Sequence, residues 1–192
     1  MPRPKLHSDE DVLRTAHSVI LRKGPEAFTL TDVANEVGIS RAALIQRFKD
    51  KASLHLAVME MATDEVKQYF DALPPETGVD ALWKMLCELI ESMGGGETGA
   101  SYLLLLWGDI QTDVLRRLSA DRNSLVRQAI AERLPEQPHP RDETASLIQA
   151  VIQGACMQWL VEREGRLADF MLGQVRRAMQ VLYPAHDFRV KA

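Results

Sequence analysis

The chain has 192 residues, 46% of them hydrophobic and 26% charged, a composition that supports a packed core and leaves room for one domain or two small ones. Dominant disorder is excluded, and with aromatics at only 6% and helix-forming residues plentiful, so is an all-β architecture. The formal net charge of −4 is unevenly spread: residues 1–51 are net +2 and residues 52–192 net −6, which rules out a uniformly basic nucleic-acid coat.

No stretch approaches the roughly 18 uninterrupted apolar residues of a membrane span. The start, Met1 to Ser8, is basic but has no apolar run behind it, so a cytoplasmic protein without membrane association is expected. Cys87 and Cys156 fall within apolar helical patterns and are expected to be packed thiols.

In chain order, Ser8 with Asp11 three residues on reads as a capping box. Val12, Ala16, Val19 and Ile20 then keep a helical period until Lys23-Gly24-Pro25, predicting helix one over about residues 9–22. Thr29 is the expected N-cap of a short second helix with Asp32 at its third position and Val33, Ala34 and Val37 facing inward; Gly38 ends it. Ser40 caps a third helix with Leu44 and Phe48 inward. From Lys51, the apolar positions Leu54, Val58, Met61, Ala62, Val66, Tyr69, Phe70 and Leu73 keep register for about six turns until Pro74-Pro75. Val79 to Met93 forms a fifth helix ended by the glycines at 94–96. Further helices are expected over Ala100–Gln111, Asp113–Leu134, Arg141–Glu164 and Leu167–Tyr183, about nine in all.

The eighth helix carries two apolar stripes, one through Ile148, Ile152, Ala155 and Trp159, the other through Leu147, Val151, Gly154 and Val161. The ninth is broadly apolar as well, through Phe170, Val175, Ala178 and Leu182. A helix apolar on two sides is buried on two sides. The second side is expected to be a subunit interface.

The segment Thr31 to Phe48, TDVANEVGISRAALIQRF, has the spacing of a helix-turn-helix: Ala34 where the helices cross, Gly38 in the turn, and Val33, Val37, Ile39 and Leu44 as the clamp. Spacing alone leaves open both DNA binding and a purely structural hairpin. The longer stretch FTLTDVANEVGISRAALIQRFKDKASLHLAVME resembles the N-terminal domain of TetR-family transcriptional regulators, with its V-G-[IV]-S turn, a recognition helix ending in Phe48, and Lys49-x-Lys51-x-x-Leu54 opening helix four.

That resemblance implies an all-α homodimer with a helix-turn-helix DNA-binding domain at residues 1–51 and a helical effector-binding and dimerisation domain at residues 52–192. It implies phosphate contacts at Thr29 and Lys51, and places Ser40, Arg41, Ala42 and Ala43 at the groove-facing start of the recognition helix. A helix N-terminus and an ammonium both favour phosphate, and a guanidinium can bind guanine through two hydrogen bonds. The chain departs from the family at Ile45, Gln46 and Arg47, where an aromatic pair and a histidine are usual; Gln46 and Arg47 are expected to take over backbone contacts or add base readout. Arg3 and Lys5 either reach the duplex or form a disordered basic tail. The resemblance also places an effector pocket near Trp83, Trp107, Met157 and Trp159, with Tyr102, Gln111 and Gln153 as its polar groups. Its dimer interface falls on helices eight and nine, at Leu147, Val151, Gly154, Val161, Phe170, Val175, Ala178 and Leu182.

Gly94 to Gly99 matches G-x-G-x-x-G literally, but a dinucleotide fingerprint follows a strand, and here it follows an amphipathic helix. The five histidines show no metal-ligand spacing. The expected function is a ligand-responsive DNA-binding regulator, a repressor released from its operator by a small hydrophobic or aromatic effector, with no metal and no cofactor. The rival readings are a small all-α enzyme using the C-terminal pocket, and a helical adaptor whose helix-turn-helix only packs.

Overall fold

The computed structural model describes residues 7–93 and 105–189. Among them all regular structure is helical: α1 (Asp9–Lys23), α2 (Leu30–Val37), α3 (Arg41–Phe48), α4 (Lys51–Asp71), α5 (Val79–Met93), α6 (residues 105–109), α7 (Asp113–Arg133), α8 (Arg141–Glu162) and α9 (Leu167–Leu182). The all-α expectation and the nine helices hold. None of these helices is long and apolar enough to cross a membrane. Arg3, Lys5, the glycine-rich segment at 94–99 and Tyr102 lie outside the described residues.

Local chemistry explains the helix starts. Ser8 and Thr29 each close a full capping box, the hydroxyl accepting from the third helical N–H while the Asp carboxylate there accepts from the cap's own N–H. Each such cap stabilises its helix by about 1 kcal/mol. Asp50 opens α4 in a related way, its Oδ1 accepting from the Ser53 N–H at 2.7 Å. The ends taper: α4 stops at Asp71, with Ala72 and Leu73 still donating to Gln68 and Phe70, because a residue before proline is barred from helical geometry.

The chain divides into two compact units, one within residues 1–67 and 101–121, the other within 68–100 and 122–192. In the first, α1 packs on α2 and α2 on α3. Their core holds Val12, Ala16, Ile20, Phe28, Val33, Leu44, Leu54 and Val58, all without accessible surface, and is completed by Leu105 and Leu115. Each such side chain contributes about 1.5–3 kcal/mol on burial. Only the start of α4 takes part. Met61, Ala62 and Val66 are half-buried and Tyr69 is exposed, so the six-turn inward face expected of α4 is inward only in its first turns. Periodicity names the apolar face of a helix, whereas cover depends on what lies opposite.

In the second unit α9 packs against both α5 and α8. Arg133 is buried at the end of α7 and tied at both ends: Nη1 donates to the Ala129 carbonyl and Nη2 to that of Pro74, while its own carbonyl accepts from the Gly78 N–H. A buried cation needs such partners. The α4–α5 loop is thereby held to the end of α7.

Candidate nucleic-acid interface

The α2–α3 corner is built by its turn. Gly38 sits in the left-handed region, at φ 78° and ψ 31°, where a side chain would be strained. Its N–H and that of Ile39 both donate to the Ala34 carbonyl at 3.0 Å, a Schellman-type ending that closes α2. Ser40 then caps α3, accepting from the Ala43 N–H at 3.1 Å. Leu44 is the fully buried residue of α3, Ile45 and Phe48 pack half-buried against the same core, and Arg41, Ala42 and Gln46 are left outward. Arg41, Ala42 and Gln46 are exposed and Ala43 is half-buried. Arg41 makes no hydrogen bond or ion pair with the described residues, leaving the donors of a planar guanidinium available at the open end of α3.

Thr29 is more committed than the sequence suggested. Its hydroxyl accepts from the Asp32 N–H at 3.1 Å and lies 2.8 Å from Asp32 Oδ2, and its backbone N–H donates to the same carboxylate. The Lys23 ammonium, with Thr29 second, holds Asp32 below the usual carboxylate range. Lys51, at the first position of α4, donates to the Glu26 carbonyl at 2.7 Å and lies 4.6 Å over the Phe28 ring. An ammonium has three donors, so this anchor fixes the charge without exhausting it.

Lys49 is a cation that the sequence reading named in the motif opening helix four but not as a DNA contact. It is exposed at the centre of a three-residue turn, φ 69° and ψ −63°, closed by the Asp50 N–H donating to the Phe48 carbonyl at 2.8 Å. A γ-turn of this hand is rare and strained for a non-glycine residue. Nothing in a lysine announces positive φ; the Lys-Asp pair immediately before a helix was the only signal. Arg47 lies inward, its side chain 15% exposed, with Nη1 donating to the His7 carbonyl at 3.0 Å and 3.5 Å from Asp9 Oδ1. The expectation that Arg47 takes over backbone contacts or adds base readout does not match this placement, because α1 and the residue before its cap supply acceptors on the inner side of α3.

Of the residues named for an effector pocket, those within the second unit, Trp83, Gln153, Met157 and Trp159, do not gather into one cavity. Trp83 is buried, its indole N–H donating to the Arg189 carbonyl at 3.0 Å and its ring edge-on to Phe188 at 5.4 Å, which makes it core beneath the C-terminal segment. Trp159 donates to the Glu164 and Gly165 carbonyls and so ties off the end of α8. Gln153 donates to Asn123 Oδ1, within a network that also holds Gln149 and Arg127. Trp107 and Met157 are exposed, and Gln111 donates back to the Trp107 carbonyl. A surface groove of about 420 Å³ does lie between α7 and α8, lined by Arg127, Glu132, Arg141 and Asp142 among others, but its lining includes none of Trp83, Gln153, Met157 and Trp159. Among the described residues no group of three His, Cys, Asp or Glu is placed to hold a metal.

The two stripes of α8 separate as expected. Ile148, Ile152 and Ala155 are buried within the unit, whereas Leu147 and Val161 are exposed and Val151 and Gly154 half-buried. On α9, Phe170, Ala178 and Leu182 are half-buried and Val181 is exposed. Val175 has no accessible surface, so it belongs to the core between helices of one chain and not to an open face, contrary to the sequence expectation. A broad apolar helix cannot be divided into core and interface from sequence alone.

Residues 12–58 match the family model of bacterial regulatory proteins of the tetR family. No curated protein matches the sequence. Solved structures share the fold over nearly the whole chain. A TetR transcriptional regulator from Legionella pneumophila has a TM-score of 0.72 at 16% identity, covering 93% of this chain and 98% of its own. A TetR-family member from Streptomyces coelicolor scores 0.66 at 21% identity, covering 86% and 94%. The multidrug binding protein EbrR, complexed with malachite green, scores 0.64 at 22% identity, covering 86% and 94%.

Proposed function

We propose that this chain, whose residues 12–58 match the family model of bacterial regulatory proteins of the tetR family, is a DNA-binding transcriptional regulator of that family, acting as a homodimeric, ligand-responsive repressor. It is a transcription factor and not an enzyme. The observation that carries the DNA reading is Arg41, exposed and without a partner among the described residues, at the open end of a helix that packs through Leu44, Ile45 and Phe48. Ser40, Ala42, Ala43 and Gln46 share that outward surface, with Thr29, Lys49 and Lys51 beside it as candidates for phosphate. A protein of this kind works in the cytoplasm, where its operator is.

The homodimer reading is supported by the open apolar faces of α8 and α9, where Val161 is 87% and Val181 81% exposed. Contiguous exposed apolar surface on a folded unit marks an interaction site. The effector reading is supported by the malachite green bound to EbrR. We infer that a small hydrophobic or aromatic effector favours one of two dimer conformations. It moves the recognition helices off the spacing of successive major grooves and so weakens operator binding through its differential affinity for the two states.

The test is the mobility of duplexes taken from the DNA flanking the protein's own gene, titrated between about 50 and 200 mM salt. If each protomer neutralises about five phosphates, log K falls against log salt with a slope of roughly −9 for the dimer. A slope near zero from folded protein would sink the reading.

A further inference from the structure

Arg41 and Arg47 lie on the same short helix, and the fold treats them oppositely. Arg41 is exposed with no partner among the described residues, whereas the Arg47 side chain keeps only 15% of its accessibility. The two acceptors of Arg47, the His7 carbonyl at 3.0 Å and Asp9 Oδ1 at 3.5 Å, bracket Ser8, the N-cap of α1. The last turn of α3 is therefore pinned to the first turn of α1. This tie runs directly between two helices that also share the core of the unit. To reach a phosphate, the guanidinium must give up its charge-assisted bond to the His7 carbonyl and its ion pair with Asp9. Arg41 has no such cost.

Resting on the DNA-binding reading above, we propose that Arg47 is a positioning residue: it fixes the tilt of the recognition helix against α1 and takes no phosphate itself. Arg41 lies six residues away, about 9 Å along the helix axis. A tilt of about 10° about the pinned end displaces it by about 1.6 Å, well beyond the half-ångström spread of good hydrogen-bond lengths. Base readout at Arg41 thus depends on a contact made one and a half turns away, on the protected side of the same helix.

The experiment uses the full-length protein and two duplexes, one selected by the wild type from a randomised pool and one of scrambled sequence, with binding measured across a salt series well below the melting temperature. Arg47→Met keeps most of the apolar stem and removes the charge. If Arg47 positions α3, the variant loses about tenfold on the selected duplex and much less on the scrambled one, and its salt slope stays that of the wild type. If Arg47 is a phosphate ligand, both duplexes weaken together and the slope becomes shallower by about 1.8 per dimer, which overturns the proposal. An unchanged affinity for the selected duplex overturns it equally.

Asp9→Asn supplies a second reading should Arg47→Met fold poorly. Loosening the clamp lowers the ratio of selected to scrambled affinity if Arg47 positions the helix. A phosphate-seeking Arg47 released from its carboxylate instead tightens both duplexes and leaves the ratio unchanged, which counts against the proposal. Wild-type protein that binds neither duplex at low salt sinks the DNA-binding reading and this one with it; salt-dependent wild-type binding with a shallower Arg47→Met slope sinks this one alone.

Discussion

Gly108 of α6 lies against Pro25 in the turn between α1 and α2 so closely that a Cβ added to it would sit 2.3 Å from the proline Cγ. The proline ring is rigid and cannot swing aside as the end of a long side chain would. The absence of a side chain at 108 is thus what lets α6 meet the α1–α2 turn.

Gly108→Ala separates two opposed effects. In an open helical position the change would stabilise by about 1 kcal/mol through helix propensity. Here the overlap must be relieved by shifting one segment, at about 1–3 kcal/mol. The expected net result is a melting temperature lowered by several degrees in a thermal scan followed by circular dichroism. A rise would mean that the turn yields freely.

Arg41 and Lys51 separate specificity from affinity. Arg41→Ala is expected to lose about 1–3 kcal/mol on the preferred duplex and much less on scrambled DNA, relaxing preference at one base pair per half-site. Lys51→Met, which retains the stem over Phe28, should weaken all duplexes alike and make the salt slope shallower by about one per half-site. Equal weakening of both duplexes by Arg41→Ala would make Arg41 a phosphate contact and pass base readout to Gln46 or the alanines.

Gly154 tests the subunit interface with little cost to the subunit. A Cβ at this position meets nothing within 4 Å, and replacing a helical glycine raises helix propensity, so Gly154→Arg should leave each chain folded. Between two chains the same side chain would bring a cation onto the stripe of Leu147, Val151 and Val161. Sedimentation is expected to give a monomer with retained helicity. A dimer of wild-type affinity would place the interface elsewhere.

Acid should loosen the helix starts of the DNA-binding unit. Asp11 is held below the usual carboxylate range by the Ser8 hydroxyl, Asp32 by Lys23 and then Thr29, and Asp50 by the Ser53 N–H. A depressed folded-state pKa gives stability that is present above the unfolded value, about 3.9 for Asp, and is lost as pH falls through the folded value. The melting temperature is therefore expected to hold from pH 7 to about 5 and to fall below about pH 4. Asp32→Asn should be less stable at neutral pH and show a smaller acid fall. An equal fall in the two proteins would remove Asp32 from the account.

The sequence alone determined the features governed by local chemistry. Capping residues at Ser8, Thr29 and Ser40, the turn at Gly38, and the proline and glycine stops place the helices to within a residue or two, because a helix end is decided by its own few residues and their unpaired backbone groups. The same segment carried the family resemblance, and the two stripes of α8 divided as their spacing said they would. What the tertiary structure decided was which polar or apolar group finds a partner from elsewhere in the chain. Arg47 and Arg41 look alike in sequence; only the approach of His7 and Asp9, some forty residues away, makes one internal and leaves the other open. Trp83 reads as a pocket aromatic until Phe188 and Arg189 cover it, and Val175 as an interface residue until its own unit encloses it. Periodicity fixes which side of a helix a residue occupies, whereas occupancy of the space opposite is set by long-range packing, which no local pattern encodes.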